Sequence, residues 1–170
     1  MDIRKELQGL QNRIQELEAR EGIKDAIAAY SWAVDTEDWG LMESIFTKDA
    51  VCENRWRKRD YIGNKAIVEF FQDHRKRFHF SNRMSNLNER ITVSGATAKA
   101  KSYFLVMYTL NGESTIGWGI YTWELRREEG DIWRISRLTL EPSLMSTLEK
   151  GWGMMTDRVA AVPSIGKSSN

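Results

Sequence analysis

One cysteine, two histidines and two prolines in 170 residues leave several kinds of chemistry without materials. Cys52 alone excludes an intrachain disulfide framework, and with His74 and His79 it cannot supply a typical structural zinc set, so no metal is expected. Its expected role is that of a small buried hydrophobe. Charge of one sign is also lacking: 25 Lys and Arg stand against 24 Asp and Glu. A formal charge of +1 provides no field to recruit a polyanion, and nucleic acid is not expected as a partner. No apolar run approaches the ~20 residues needed to span a bilayer. The N-terminus runs straight into alternating charges, unlike a secretory signal, so a cytoplasmic protein without a membrane partner is expected. No Gly-rich phosphate cradle or nucleotide fingerprint is present, and no cofactor is expected.

What the chain does have is 41% apolar and 11% aromatic residues, enough for one buried core. Ile3, Leu7, Leu10, Ile14 and Leu17 alternate spacings of four and three, which predicts an amphipathic helix of coiled-coil type over 1–21. At Glu21-Gly22 the register breaks, and Ile23, Ala26, Ile27, Tyr30 and Val34 start a stripe in a new phase. Either a second helix begins there or one helix bends. Asp35-Thr36-Glu37-Asp38 carries capping chemistry for a short helix from Trp39 to Phe46, and Asn64 caps a third helix ending near Arg77.

Beyond that point the period falls from about 3.6 to 2. Residues 50–56 already alternate, and 82–93, 97–110, 114–127 and 132–140 read as further strands rich in β-branched and aromatic residues. Ser94-Gly95, Asn111-Gly112 and Glu129-Gly130 separate the last four, which predicts an antiparallel meander. Helices followed by a long curved sheet make an α+β fold, a cone-shaped half-barrel of antiparallel strands with the N-terminal helices packed on it. Residues 22–142 form this domain and 143–170 a tail. Gly117 and Gly119 mark either a bend or room for a ligand.

Three stretches together resemble the SnoaL-like branch of the nuclear-transport-factor-2-like superfamily. Glu21-Gly22-Ile23-Lys24-Asp25 continues through Tyr30 to Asp35-Thr36-Glu37-Asp38-Trp39. Asn82-Arg83-Met84-Ser85-Asn86-Leu87 follows, and then Gly119-Ile120-Tyr121 running on to Gly130-Asp131-Ile132-Trp133-Arg134. Members of this family include dehydratases, a dehydrochlorinase, steroid isomerases, diarylpropane lyases and small subunits of ring-hydroxylating dioxygenases. In the eliminating members a helix aspartate and a strand histidine form an acid–base dyad in an apolar cone. The resemblance puts Asp35 at that aspartate and Asn82 at the histidine. Asparagine cannot shuttle a proton, so the standard dyad is absent or rebuilt.

Asp35 is therefore either an acid–base group raised in proton affinity by apolar walls or the cap of the Trp39 helix. Tyr30 is either a phenol donor or a core residue with a satisfied hydroxyl. By resemblance Tyr108 matches a second catalytic position, while Tyr121 and Asn54 match pocket positions. Asn54 facing inward would bring Cys52 and Trp56 with it, whereas a one-residue slip would present Glu53 and Arg55. Phe104 shares a face with Val106 and Tyr108, and at most one of Trp118 and Trp123 points inward. His79 either replaces the missing histidine or, like His74 and the run Arg55-Trp56-Arg57-Lys58-Arg59, belongs to a solvated basic surface; Arg55 or Arg57 could instead hold an anionic ligand group.

The reading that follows is a cofactor-independent lyase, dehydrating or cleaving a carbon–carbon bond of a hydrophobic aromatic or polycyclic alcohol. Asp35, Tyr30, Asn82 and Tyr108 would carry the chemistry; Tyr121, Asn54, Trp56, Arg55, Phe104, Trp118 and His79 would contact substrate. A double-bond isomerase and a non-catalytic binding or accessory subunit are the alternatives, and a homodimer or homotrimer is expected.

Overall fold

The computed structural model describes residues 3–77, 83–110 and 112–153. Three helices, α1 (Ile3–Thr36), α2 (Trp39–Ile45) and α3 (Asn64–Arg77), are interleaved with the first two of six strands. The strands are β1 (Phe46–Asn54), β2 (Arg59–Ile62), β3 (Arg83–Ser94), β4 (Thr97–Leu110), β5 (Glu113–Arg127) and β6 (Trp133–Thr147). They form one sheet in the order β2-β1-β6-β5-β4-β3. The expected meander is β3 to β6, with Gly95, Gly112 and Gly130 at positive φ in its three turns.

Two features depart from the expected sheet. The basic stretch after β1 contributes β2, which pairs with it as a hairpin, and β1 then pairs with β6 in parallel. The sheet is mixed and open, because β1 enters before α3 and the meander returns beside it in the same direction. β6 also runs on past Pro142 to Thr147, through residues expected to be tail. Pro142 is tolerated because β1 has ended at Asn54, opposite Leu140, and because the β5 register shifts between Trp118 and Gly119 at this point.

Helix α1 is continuous across the phase change at Gly22. At 100° per residue, the stripe Ile3–Leu7–Leu10–Ile14–Leu17 lies about 180° around the axis from Ile23, Ala26, Ile27, Tyr30 and Ala33. The second set is buried against the sheet; the first is 54–69% exposed. Gly22 sits where the helix first meets the domain, and a Cβ there would lie 2.9 Å from Cδ1 of the buried Trp133 ring. Glycine is thus selected by close approach, against its lower helix propensity of about 1 kcal/mol. Gly117 and Gly119 answer to packing in the same way. Met145 and Val106 fill the space over the first, and the Phe104 ring, 2.6 Å from a Cβ, and the Glu141 carbonyl fill it over the second. Both mark close packing rather than ligand room.

Inward positions alternate along β5 as Thr115, Gly117, Gly119, Tyr121, Trp123 and Leu125, and along β4 as Ala98, Ala100, Ser102, Phe104 and Tyr108. Trp123 is fully buried and its indole N–H donates to Ser102 Oγ at 3.0 Å. Cys52 is buried in the core as expected, its thiol pushed up to about 12 mainly by burial. If Gly22 is fixed by Trp133, Gly22→Ala lowers stability by about 1–3 kcal/mol in urea unfolding despite the better helix former. Gly9→Ala, at a helix position with nothing near its Cβ, leaves stability equal or higher.

Candidate functional site

The last turn of α1 is built unusually. Its final residue is Thr36, after which Glu37 adopts φ 58, and the Asp38 N–H closes back on the Ala33 carbonyl at 3.1 Å. This is the Schellman arrangement with glutamate where glycine is customary. A left-handed non-glycine residue costs roughly 1 kcal/mol, and here the Glu37 carboxylate is anchored by Arg75 of α3, whose Nη2 and Nε donate at 2.7 and 3.0 Å. Asp38 then caps α2, its Oδ1 accepting from Leu41 N at 2.9 Å. The capping role open to Asp35 belongs to Asp38.

Asp35 is consequently left in the last turn of α1, half-buried, with its carboxylate turned to the edge strand β3. Both of its oxygens accept from Met84 N, at 3.1 and 3.2 Å. Its pKa is raised above 3.8 by desolvation, opposed by the Met84 N–H and by the Arg83 and Arg75 charges. The carbonyl end of a helix also disfavours an anion. The same strand is tied to α1 by Asn86, whose amide donates to Ile27 O and Ser31 Oγ, and by Arg20, which donates to Ile91 O.

Met84 links Asp35 to the interior. Its sulfur accepts from the Tyr121 hydroxyl at 3.6 Å, and that hydroxyl lies 3.5 Å from the hydroxyl of Tyr30. Tyr30 is fully buried and meets Phe46, Phe71, Tyr121 and Trp123 edge-on, with centroids 5.3–6.4 Å away. Phe104 stacks on Tyr121 at 4.5 Å. Burial pushes the Tyr30 and Tyr121 phenols well up, and Tyr108, whose hydroxyl donates to Met145 Sδ, to about 12. All three are neutral hydrogen-bond donors at physiological pH. Core packing accounts for Tyr30, which positions Tyr121.

The structure therefore brings Asp35, Tyr30, Tyr121 and Phe104 together through Met84, with Tyr108 further along the inward row of β4. It separates others from them. Trp118 lies on the opposite face of β5 from Tyr121 and packs on Trp152. Arg55 is exposed beyond the end of β1 and pairs with Glu53, whose carboxylate also holds Arg137 on the outer face of the sheet. Asn54 is buried facing inward, but its Oδ1 accepts from Arg57 N at 2.9 Å and so closes the turn to β2, in which Trp56 is half-buried. His79 and Asn82 lie outside the described residues. His74 is not a solvated surface group: half-buried, its Nδ1 lies 3.0 Å from Arg57 Nη2, and Arg57 sits over the Phe70 ring.

Met84 and the Arg75–Glu37 pair were not legible as site elements. A backbone N–H leaves no sequence signal, and 38 positions separate the ion pair.

An α+β cone with helices on an open sheet, and with a desolvated carboxylate beside an aromatic inner face, defines the class of fold. Within that class, residues 15–139 match the SnoaL-like domain, and the chain belongs to that family. Similar solved structures include hexachlorocyclohexane dehydrochlorinase from Novosphingobium barchaimii, with a TM-score of 0.73 and 21% identity over 80% of this chain and 94% of that one. A candidate aromatic ring hydroxylase from Novosphingobium aromaticivorans gives 0.69 and 28%, over 79% and 96%. A candidate scytalone dehydratase from the same organism gives 0.69 and 19%, over 77% and 88%. No curated protein sequence matches the chain.

The raised pKa of Asp35 has a stability consequence. A carboxyl whose folded-state pKa lies above its unfolded value makes the folded protein less stable once ionised, and this cost is relieved as pH falls through the folded pKa. Asp35→Asn should therefore raise the melting temperature at pH 7, with the gap closing as pH drops toward 3.8. Thermal scans of both proteins from pH 7 to 3.5 check this.

Proposed function

We propose that the protein is a cofactor-independent lyase in which Asp35 is the proton-transfer group and the substrate is a hydrophobic aromatic or polycyclic alcohol. The observation that carries this is Asp35 itself: relieved of capping by Asp38, half-buried at a helix C-terminus, and held in place by the Met84 N–H. A carboxylate placed against the dipole and out of water is poorly stabilised as an anion, which makes it a better base than an exposed one. The aromatic face of Tyr121, Phe104 and Tyr108 suits a flat apolar ligand, and neutral phenols can donate to an oxygen that gains charge.

Two reactions use these parts without redox change. In dehydration Asp35 takes a C–H proton, the adjacent C–O bond breaks as the double bond forms, and the hydroxide leaves as water with the proton that Asp35 gives back. In retro-aldol cleavage Asp35 takes the hydroxyl proton, the C–C bond breaks to give a carbonyl, and the proton returns to the carbon fragment. Tyr121 or Tyr108 would hold the oxygen in either case. The dehydrochlorinase and the candidate scytalone dehydratase, similar in fold, are named for eliminations of this kind.

A second reading, a binding or accessory subunit, is favoured by Asn82 at the position where the resemblance expects a histidine. A double-bond isomerase would use the same single base, returning the proton to another carbon.

Thermal-shift screening against sterols, polyketide phenols, diaryl alcohols and terpenoids, followed by mass spectrometry of each mixture, separates these readings. A stabilising ligand whose mass falls by water or formaldehyde is expected; one returned unchanged, both in mass and by NMR, contradicts the lyase. With a substrate in hand, Asp35→Asn should lower kcat by at least ~10²–10⁴ and leave ligand-induced stabilisation intact. Since the base must be ionised, wild-type kcat/KM should fall as pH drops through the raised Asp35 pKa.

A further inference from the structure

The N-terminal half of α1 carries a feature that the domain does not use. Ile3, Leu7, Leu10, Ile14 and Leu17 form a d-a-d-a-d seam, all more than half exposed, on the side of the helix opposite the face its own domain buries. The domain cannot cover this seam without turning α1 over, which would expose Tyr30. Ile3, Leu7, Leu10 and Ile14 also precede residues 15–139, the part shared with the family. The arm pays no nucleation cost, because it extends a helix already formed and packed from Ala19 onward.

We propose that this seam is covered by the same segment of a second copy of the chain, in an antiparallel two-stranded coil centred near Asn12. The flanking charges argue for a second copy, and the domains, packed on α1 from Ala19 onward, argue for that direction, since antiparallel arms leave them at opposite ends of the coil. With the seam at a and d, Arg4, Gln11 and Glu18 occupy e, and Glu6, Arg13 and Arg20 occupy g. Antiparallel packing sets e against e and g against g. Arg4 then meets Glu18 and Glu6 meets Arg20, each twice by symmetry, while Gln11 and Arg13 each meet their own copy and Arg13 is the one like-charged contact. The apolar layers close as Leu7 on Leu17 and Leu10 on Ile14. A parallel pair sets g against the following e and gains Arg13 with Glu18 and Arg20 with Asp25, twice each, while Glu6 meets the neutral Gln11, but it brings both domains to the same end of the coil. Each domain lies on the far side of its own helix, so the two arms can meet without collision.

The full chain should sediment as a dimer. Leu10→Glu with Ile14→Glu, both at exposed positions outside the domain, should give a monomer with an unchanged near-ultraviolet circular dichroism spectrum. Direction is read by cysteine pairing, since the native Cys52 is buried. Leu10→Cys and Ile14→Cys proteins mixed under mild oxidation should give the mixed disulfide, and neither should cross-link with itself. A monomeric wild type, an assembly of other size, or a double-Glu variant that still dimerises would overturn the proposal. Self-linking of Leu10→Cys would overturn the antiparallel arrangement.

Discussion

The Tyr30 ring sits edge-on to Phe46 of β1, Phe71 of α3, and Tyr121 and Trp123 of β5, so one side chain joins four elements. Contacts of this kind contribute about 0.5–1.5 kcal/mol each beyond the area they bury. Their larger effect is to fix the rotation of α1 about its axis. With Tyr30 inward, Ser31 and Asp35 are carried along the flank to the edge strand β3, and the leucine seam is carried to the opposite side. The candidate site and the candidate assembly surface are both consequences of that one rotation.

The end of α1 shows what placing Asp35 requires. An aspartate just before a helix can cap it, and the N–H donors there stabilise its anion. Here Asp38 caps α2, and Glu37 turns the chain through the left-handed region with its carboxylate held by Arg75. The backbone strain and the desolvated carboxylate sit side by side, as expected where local stability has been exchanged for a positioned group. Met84 completes the arrangement from the sheet, serving Asp35 with its N–H and Tyr121 with its sulfur.

Much of the fold was legible because β-hairpin chemistry is local. Strand β4 falls on 97–110 as the alternation predicts, and the three glycine turns sit where the dipeptides place them. The phase change at Gly22 was legible as well, but a break, a bend and a straight helix that changes which face it buries leave the same pattern. Only Trp133, 111 positions away, distinguishes them. The parallel pairing of β1 with β6 and the continuation of β6 past Pro142 depend on where β1 stops, which is equally non-local. In the site, Asp35 and Asp38 are equivalent by capping propensity, and the choice between them is made by the closure of Asp38 on Ala33 and the Met84 N–H on β3. Arg57 and His74 looked like parts of a solvated basic run, yet they pair with each other across 17 residues. Packing against Phe70 decides it.

The central claim is that Asp35 is a poorly stabilised carboxylate held ready for proton transfer. Carbon-13 NMR titration of the side-chain carboxyls, with Asp35 assigned through the Asp35→Asn spectrum, measures this without any substrate. The account predicts an Asp35 pKa above the ordinary 3.8. A value below 3.8 would show that Arg75, Arg83 and the Met84 N–H outweigh desolvation. Asp35 would then be a structural clamp on the edge of β3, not a base.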